Sequence, residues 1–489
     1  MVNSGDLTIN ILPGLDFKTL ASAYVNYTKG LDFAQRNSNR AGDVNRGIYT
    51  NNLFLDLLNE NTLNYRKEFK KHNIGLLAGF TAQKTTIEND QITGLDYPSD
   101  RITTLNTALT IDKDNSFNTR NSIGLLSYLG RATYGFDNKY LLSASFRADG
   151  SSYFAAGKKW GYFPSVSVGW VASEEKILRG VKWLSNLKFR GSYGATGNNR
   201  IVDFAFVDLL YSANYPTGAA NGTPAIGLVP SSTILSNANI TWERTFQYNG
   251  GIDLSLFKNA VSLSFDIYQS ETDRLLLQQS ALAFTGVPLT WNNIGSLQNN
   301  GLELELTTHN ITNKNFKWTT SANIAHSKNK ILELGAEAFL LNQGERTELY
   351  RNKVGEPLIQ YFGYKTDGVW LSQAAITDAQ KTLKSSLSNV FIPGGLKLVD
   401  INNDGTLDAN DRTVIGSPYP DFTWGITNTF KYKSFDFNFM FQGSQGGSLV
   451  NGDPNYNETK RYNNNYNQNR WGQPSEYWRW SNALFYGWF

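Results

Sequence analysis

The chain has 489 residues, a formal net charge of +3 and no cysteine. Charged residues make up 18% of it and aromatic residues 13%, a composition that fits alternating strands and polar loops better than packed helices. The small net charge argues against nucleic acid as a partner. The lack of cysteine excludes disulfides and thiolate metal sites within this chain. The three widely spaced histidines argue against a histidine-based active site.

The clearest predicted hairpin spans 245–270. Apolar residues such as Tyr248 and Ile252 alternate there with polar residues such as Asn249, and the chain turns at Lys258. Alternation with a period of two predicts two strands, each with one apolar and one polar face.

A second hairpin is predicted over 422–443, and its last strand carries phenylalanine at every second position. Four such side chains on one face would be a liability in water but are ordinary in lipid. We therefore expect one set to face lipid, namely Phe435, Phe437, Phe439 and Phe441. We expect the alternate set to face inward, namely Asp436, Asn438 and Gln442.

Repeated hairpins of this kind predict about 14 strands. Short turns alternate with long polar stretches at 28–48, 86–122, 150–161, 196–243, 271–300 and 327–421. No apolar run is long enough for a helical membrane span. Short turns at one rim and long loops at the other are typical of an all-β, antiparallel transmembrane β-barrel. A series of soluble β-sandwiches remains the alternative, because their strands alternate too.

Six blocks of the sequence resemble, in the same order, SusC/RagA-type TonB-linked outer-membrane proteins. They include "LKFRGSYGATGNN" and "DINNDGTLDANDRTVIGSPYPDFTWGITNTF". The blocks lie at 127–175, 187–199, 240–257, 293–306, 361–370 and 400–447.

This resemblance implies part of a 22-stranded, plugged barrel in the bacterial outer membrane, in contact with its lipid. It implies import of nutrients, usually oligosaccharides and sometimes peptides. The expected partners are a SusD-like surface lipoprotein and TonB, and no enzymatic activity is expected.

The resemblance also predicts that parts of the family's proteins are missing here. No signal peptide, TonB box or plug precedes Met1, although TonB would act through that N-terminal part. The family's last strands are not recognisable after about Asn451. We therefore expect a partial barrel over 1–450, an unassigned segment over 451–489, a sheet with two free edges, and no transport by this fragment alone.

The sharpest local motif has calcium-loop spacing, with oxygen-bearing residues at positions 1, 3, 5, 7, 9 and 12 and glycine at position 6. A shorter aspartate stands at position 12 instead of glutamate, and no helix is predicted on either side. The pattern predicts a structural Ca²⁺ site, with an Asx-rich turn that binds no metal as the alternative. The candidate ligands are Asp400, Asn402, Asp404, Thr406, Asp408 and Asp411.

Other candidate features give weaker predictions. The glycine-rich stretch 443–448 lacks a P-loop lysine and is interpreted as a strand end. Loop aromatic residues could stack on sugars but more often pack a loop or lie at the membrane interface; they include Trp291, Trp370 and Tyr361. Asp149 and Glu243 lie in the family blocks, but no partner base or nucleophile can be placed beside them.

Two other functional classes stay open at this point. A soluble or surface-attached β-rich carbohydrate-binding protein would need its apolar strand faces to meet in a core. A secreted glycan-active enzyme would need two acidic residues to converge in one cleft.

Overall fold

The computed structural model describes residues 1–36, 44–215, 225–230, 234–335, 339–343, 349–388 and 390–450. The unassigned segment 451–489 lies outside these described residues. Within them the secondary structure is almost entirely β. One α-helix, α1 (Gln373–Ala379), occurs there together with four short 3-10 turns. No helix in the described ranges is long and apolar enough to cross a membrane.

The strands of the described ranges, in chain order, begin with β1 (Val2–Leu12), β2 (Leu15–Ala34), β3 (Arg46–Phe69), β4 (His72–Leu95), β5 (Thr110–Phe136), β6 (Tyr140–Ser151), β7 (Trp160–Val171), β8 (Leu184–Asn198), β9 (Leu210–Tyr215), β10 (Ala225–Pro230), β11 (Ile234–Leu235), β12 (Glu243–Leu256) and β13 (Val261–Asp273). They continue with β14 (Leu276–Ser280), β15 (Leu289–Asn293), β16 (Ser296–Thr312), β17 (Phe316–Glu333), β18 (Phe339–Gln343), β19 (Leu349–Lys353), β20 (Gln360–Tyr364), β21 (Thr366–Val369), β22 (Lys384–Ser385), β23 (Leu396–Leu398), β24 (Thr406–Leu407), β25 (Arg412–Gly416), β26 (Phe422–Tyr432) and β27 (Phe435–Gln445).

One large sheet contains 14 strands, in the order β1-β2-β3-β4-β5-β6-β7-β8-β12-β13-β16-β17-β26-β27. This number confirms the strand count predicted from the sequence. Neighbours in the order are neighbours in the chain except where a long connection intervenes, as in an antiparallel meander. In the described part of the chain β1 pairs only with β2, and β27 only with β26. Within the described residues the sheet is therefore not closed and has an edge at β1 and at β27, as predicted.

The chain divides into two compact units. The first comprises Met1–Lys258 with Ser270–Ile294, and the second comprises Asn259–Gln269 with Gly295–Phe489. In the first unit the strands are long: β3 and β4 have 24 residues each and β5 has 27. Because about 10 residues of a tilted strand cross a membrane, each of these strands continues well beyond the hydrocarbon layer.

Buried apolar side chains of the first unit gather where strand ends meet the long connections. Phe154, Phe163, Ile240 and Trp242 form a cluster there with Ala205. Trp242 donates its indole N–H to the carbonyl of Lys159 at 2.8 Å, so the buried indole is satisfied. This cluster holds the connection between β8 and β12 against the strands.

Small strands fill the connections that the sequence pattern marked only as polar loops. Strands β18, β19, β20 and β25 make a four-stranded sheet between β17 and β26. Beside it, Val390, Leu396, Leu398 and Leu407 form a second buried cluster. The 327–421 stretch is thus a folded insertion with its own core, and not a simple loop.

Candidate membrane wall and ligand loop

The strand registers give the sheet of the first unit two chemically different faces. Tyr248 pairs with Tyr193 and Ile252 with Phe189, whereas Asn249 pairs with Ser192. Paired residues project to the same face of a sheet. The apolar and polar faces predicted for β12 are therefore present and continue onto β8.

An aromatic row crosses the apolar face near the short turns. Directly paired positions on six successive strands, β3 to β8, carry Phe69, His72, Phe136, Tyr140, Trp170 and Phe189. Adjacent rings lie close, with centroids 4.8 Å apart for the Phe69–His72 pair and 5.6 Å for the Trp170–Phe189 pair. Such a belt is typical of the boundary between hydrocarbon and water.

A second aromatic group lies on the same face towards the long connections. Tyr128 pairs with Phe80 and stacks on Trp160, with ring centroids 5.9 Å apart. Tyr128 and Phe136 are eight residues apart on β5, which is about 27 Å along a strand. With a strand tilt of about 40°, the two groups are about 20 Å apart along the membrane normal, near the apolar band of an outer-membrane barrel.

The side chains between the two aromatic groups are apolar and exposed. Val166 and Val168 on β7 are 41% and 56% exposed, and Leu76 on β4 and Leu142 on β6 are 47% and 45% exposed. A soluble sandwich would bury this face against a second sheet. The exposure contradicts the sandwich alternative and fits a surface that contacts lipid.

The second unit repeats this design on its last strands. The side chains of Phe435, Phe437 and Phe441 are 76%, 61% and 63% exposed, and no closed core contains them. The face that they share also carries Phe430, whose ring lies 6.2 Å from that of Phe437. Alternation places the other set, Asp436, Asn438 and Gln442, on the opposite face.

The amide oxygen of one polar side chain on this aromatic face is engaged by two neighbours. Asn428 accepts hydrogen bonds from the indole N–H of Trp318 at 2.9 Å and from the hydroxyl of Thr320 at 2.7 Å. An unpaired amide oxygen in hydrocarbon would cost several kcal/mol. The two donors remove most of that penalty.

The polar face of the first unit is lined by small side chains. Thr133, Ser143, Ser167 and Ser192 line a shallow cavity of about 600 Å³. At its edge Arg190 makes a bidentate pair with Asp253, with both N–O distances 2.9 Å. This face therefore combines hydroxyl groups with charged side chains, of which Arg190 is paired, and Lys188 also lines the cavity.

The candidate acidic residues have structural partners. Arg147 binds both carboxylate oxygens of Asp149, at 2.7 and 2.9 Å, and also reaches the hydroxyl of Ser127 at 3.1 Å. Glu243 accepts from the Asn198 amide at 3.4 Å and from the Leu276 backbone N–H at 3.4 Å. Both carboxylates are therefore engaged in contacts within the protein.

The candidate loop aromatics pack against the protein. Trp370 is 5% exposed and lies 5.9 Å from Phe391, centroid to centroid. Trp291 packs against the first buried cluster, and Tyr361 lies 5.8 Å from Tyr350. The glycine-rich stretch begins inside β27, in agreement with a strand end.

The calcium-like motif lies in the insertion between β17 and β26, as its position in the sequence requires. Its carboxylates and amide cap backbone N–H groups of the same loop. Asp400 accepts from Gly405 at 2.8 Å, Asp404 from Thr406 at 2.7 Å, and Asp408 from Asn410 at 2.7 Å. Gly405 has a φ of +78°, a conformation that favours glycine at position 6.

Two carboxylates of this loop are more constrained than the rest. Asp411 is fully buried and accepts the N–H groups of Ile401 and Asp408 at 2.9 and 2.8 Å. The Oδ1 atom of Asp400 is buried and has no hydrogen-bond partner. The described residues contain no group of three or more carboxylate or imidazole side chains arranged to hold a metal. Calcium binding therefore stays a prediction, which the spacing of the motif and the unpartnered Asp400 oxygen favour.

A polar network that the sequence did not predict braces the short-turn rim. Glu175 accepts from the hydroxyl of Tyr140 at 2.6 Å and from the indole N–H of Trp170 at 3.3 Å. Lys139 lies 3.5 Å from the same carboxylate and 3.6 Å from that of Asp137. The aromatic row is thereby tied to the connection after β7.

This geometry agrees with comparisons to known proteins. The family model described as TonB dependent receptor-like, beta-barrel matches residues 3–352. The chain belongs to this family. It is of the SusC/RagA type, as the six sequence blocks predicted, and its place is the outer membrane. TonB-dependent receptors are transporters and not enzymes.

Several relatives and one solved structure support the assignment. TonB-dependent receptor P39 of Formosa agariphila is 34% identical over 91% of this chain and 44% of its own length. TonB-dependent receptor SusC of Bacteroides thetaiotaomicron is 31% identical over 67% of this chain and 32% of its own length. The RagAB peptide transporter structure matches with a TM-score of 0.78 and 22% identity, over 94% of this chain and 49% of that one. This chain thus spans less than half the length of these relatives.

A first prediction tests which face of the wall contacts lipid. We expect Val166→Arg to prevent or weaken assembly, because arginine near the bilayer midplane costs about 2–4 kcal/mol on a lipid-facing position. Ser167→Arg is the matched control, since Ser167 is the next residue along β7 and lies on the opposite, polar face beside the cavity. Heat-modifiable migration and urea titration in lipid vesicles measure the effect. Equal effects of the two variants would contradict the assignment of the faces.

A second prediction concerns pH and Glu175. The hydrogen bond from Tyr140, followed by that from Trp170, holds the pKa of this carboxyl below its ordinary value of 4.5. Such a group stabilises the fold above the pKa of the unfolded chain, and the contribution is lost as pH falls through the lower folded pKa. We expect Glu175→Gln to lower Tm at pH 7 and the difference from the wild type to vanish in acid.

The adjacent Glu174→Gln is the control for that measurement. Glu174 is 48% exposed and pairs with Arg179, and exposed pairs contribute little. A Tm difference for Glu175→Gln that stayed constant from neutral to acid pH would show that the network does not act through its charge.

Proposed function

We propose that this chain forms the membrane wall of an outer-membrane, TonB-dependent importer of nutrient oligosaccharides. It would work with a SusD-like surface lipoprotein and receive energy through TonB. The observation that carries the proposal is the apolar face between two aromatic belts, exposed on one side of the sheet, with a hydroxyl-lined face on the other. A carbohydrate-binding domain or a secreted glycan-active enzyme would have no use for such an exposed face.

The choice of oligosaccharide over peptide rests on the chemistry of the polar face. Its hydroxyl side chains and its paired charges, Arg190 with Asp253 and Arg147 with Asp149, suit a neutral ligand rich in hydroxyl groups. A peptide transporter is the second candidate, because the RagAB structure is described as one.

Growth on defined nutrients tests the proposal. We expect deletion of the gene to abolish growth on at least one oligosaccharide as sole carbon source, while growth on its monosaccharide continues. The wild-type gene should restore growth, and a Val166→Arg gene should not. Growth defects confined to oligopeptides would favour the peptide candidate. No defect on either class, or restoration without TonB, would reject energised import.

We also propose that the 400–411 loop takes up one Ca²⁺ as a structural ion. The six-position spacing and the buried, unpartnered Oδ1 atom of Asp400 support this. Asp400, Asn402, Asp404, Asp408 and Asp411 would supply side-chain oxygens, and Thr406 would use its backbone carbonyl. The ion would stiffen the insertion and take no part in a reaction.

Calorimetry and thermal unfolding test the calcium site. We expect Ca²⁺ to bind with a stoichiometry of one and to raise the Tm of the insertion, because an ion that binds only the folded state stabilises it. Asp404→Ala should remove both effects. Asp378→Ala on α1 is the control, since that exposed carboxylate belongs to the same insertion and pairs with Lys381. Equal heats of Ca²⁺ addition for the wild type and Asp404→Ala would contradict the calcium site and favour the alternative, an Asx-rich turn that binds no metal.

A further inference from the structure

The connection between β7 and β8, which we call the rim connection (172–183), is unusually long for the short-turn rim. The turns after β3 and after β26 have only two residues each. The rim connection is nevertheless ordered by backbone hydrogen bonds, including Arg179 to Glu175 at 2.9 Å and Leu184 to Val181 at 3.1 Å. Its backbone conformation is therefore defined.

Two large apolar side chains of the rim connection are exposed. Ile177 is 88% exposed and Trp183 is 55% exposed. Exposed apolar side chains on an ordered turn need an explanation in water, but they fit the boundary between headgroups and acyl chains. Tryptophan is the side chain most typical of that depth.

The rim connection continues the aromatic belt of the membrane face. It starts directly after Trp170 and Val171, and its Glu175 binds Trp170 and Tyr140 of the belt. The backbone carbonyl of Trp183 accepts the N–H of Phe257 at 2.7 Å, and Phe257 is itself 58% exposed. The rim connection thus extends from the belt towards the short-turn rim, and Trp183 lies six residues beyond the belt residue Phe189.

Cationic groups flank these apolar side chains. Lys176 and Lys182 are exposed, and neither ammonium has an ionic or hydrogen-bonding partner in the described part of the chain. Arg179 is engaged by Glu174 at 2.9 Å, and Glu175 is engaged by Tyr140, Trp170 and Lys139. The available charge of the rim connection is therefore positive.

We propose that the rim connection binds the headgroup phosphate of an anionic phospholipid in the membrane leaflet at the short-turn rim. Ile177 and Trp183 lie among the headgroups and upper acyl chains, and Lys176 and Lys182 contact the phosphate. A lysine beside an anionic leaflet contributes about 1 kcal/mol, or roughly fivefold in local lipid enrichment. The site would fix the depth of the wall in its membrane.

Site-directed fluorescence quenching tests this site. The chain has no cysteine, so Ile177→Cys provides one labelling position in it for an environment-sensitive dye. The protein as its gene encodes it is reconstituted into phosphatidylcholine vesicles with a minor fraction of phosphatidylglycerol. Two vesicle preparations are compared. In one the phosphatidylglycerol carries bromine on its acyl chains, in the other an equal mole fraction of phosphatidylcholine does. We expect brominated phosphatidylglycerol to quench the dye more strongly than brominated phosphatidylcholine, with a local enrichment of roughly fivefold or more.

Charge variants distinguish binding at the rim connection from a non-specific attraction of anionic lipid to the protein. Lys176→Gln with Lys182→Gln should abolish the preference but keep quenching by both lipids. Lys158→Gln with Lys159→Gln removes the same charge at the other end of β7 and should leave the preference intact. Heat-modifiable migration confirms that each variant is folded. Equal quenching by the two lipids, a preference that survives loss of Lys176 and Lys182, or no quenching at all would each overturn the proposal.

Discussion

The structure depends first on the pairing of backbone groups along the 14-stranded meander. An unpaired N–H or C=O in hydrocarbon costs several kcal/mol, so each membrane-crossing strand needs a neighbour on both sides. The uninterrupted registers of β3 with β4 and of β5 with β6 provide this. Because hydrogen bonds between the strands satisfy the backbone, the side chains need not form a core. One face of the sheet can then carry side chains suited to lipid and the other face side chains suited to water.

That division explains where the buried residues lie. In a soluble sheet the largest apolar side chains would be buried between layers, yet here Val168, Tyr248 and Phe437 are more than half exposed. The buried residues belong instead to the connections and strand ends, as with Trp242 in the first unit and Leu407 in the second. The wall is held together by its hydrogen-bond ladder and lipid, and the connections by small cores of their own.

The sequence predicted those features that repeat with a period of two. The two faces of β12 and of β27 and the number of strands could be predicted, because the alternation of apolar and polar residues within a strand shows which side chains share a face. The insertion was missed as a folded unit because its strands are short: β19 and β25 have five residues each, and β22 and β24 have only two, which is too few to show a period. The network around Glu175 could not be predicted either, since it joins Tyr140, Trp170 and Glu175 across 35 residues.

The wall and the connections also differ in the contacts that they can offer to a solute. The polar face of β5 to β8 carries threonine, serine and glycine beside longer side chains such as Lys188 and Arg190. Arg190 is held by Asp253. The short hydroxyl side chains keep the face wettable but reach only a short distance from the sheet. The long connections, by contrast, contain buried clusters of their own, and these clusters provide the rigidity that a selective surface requires.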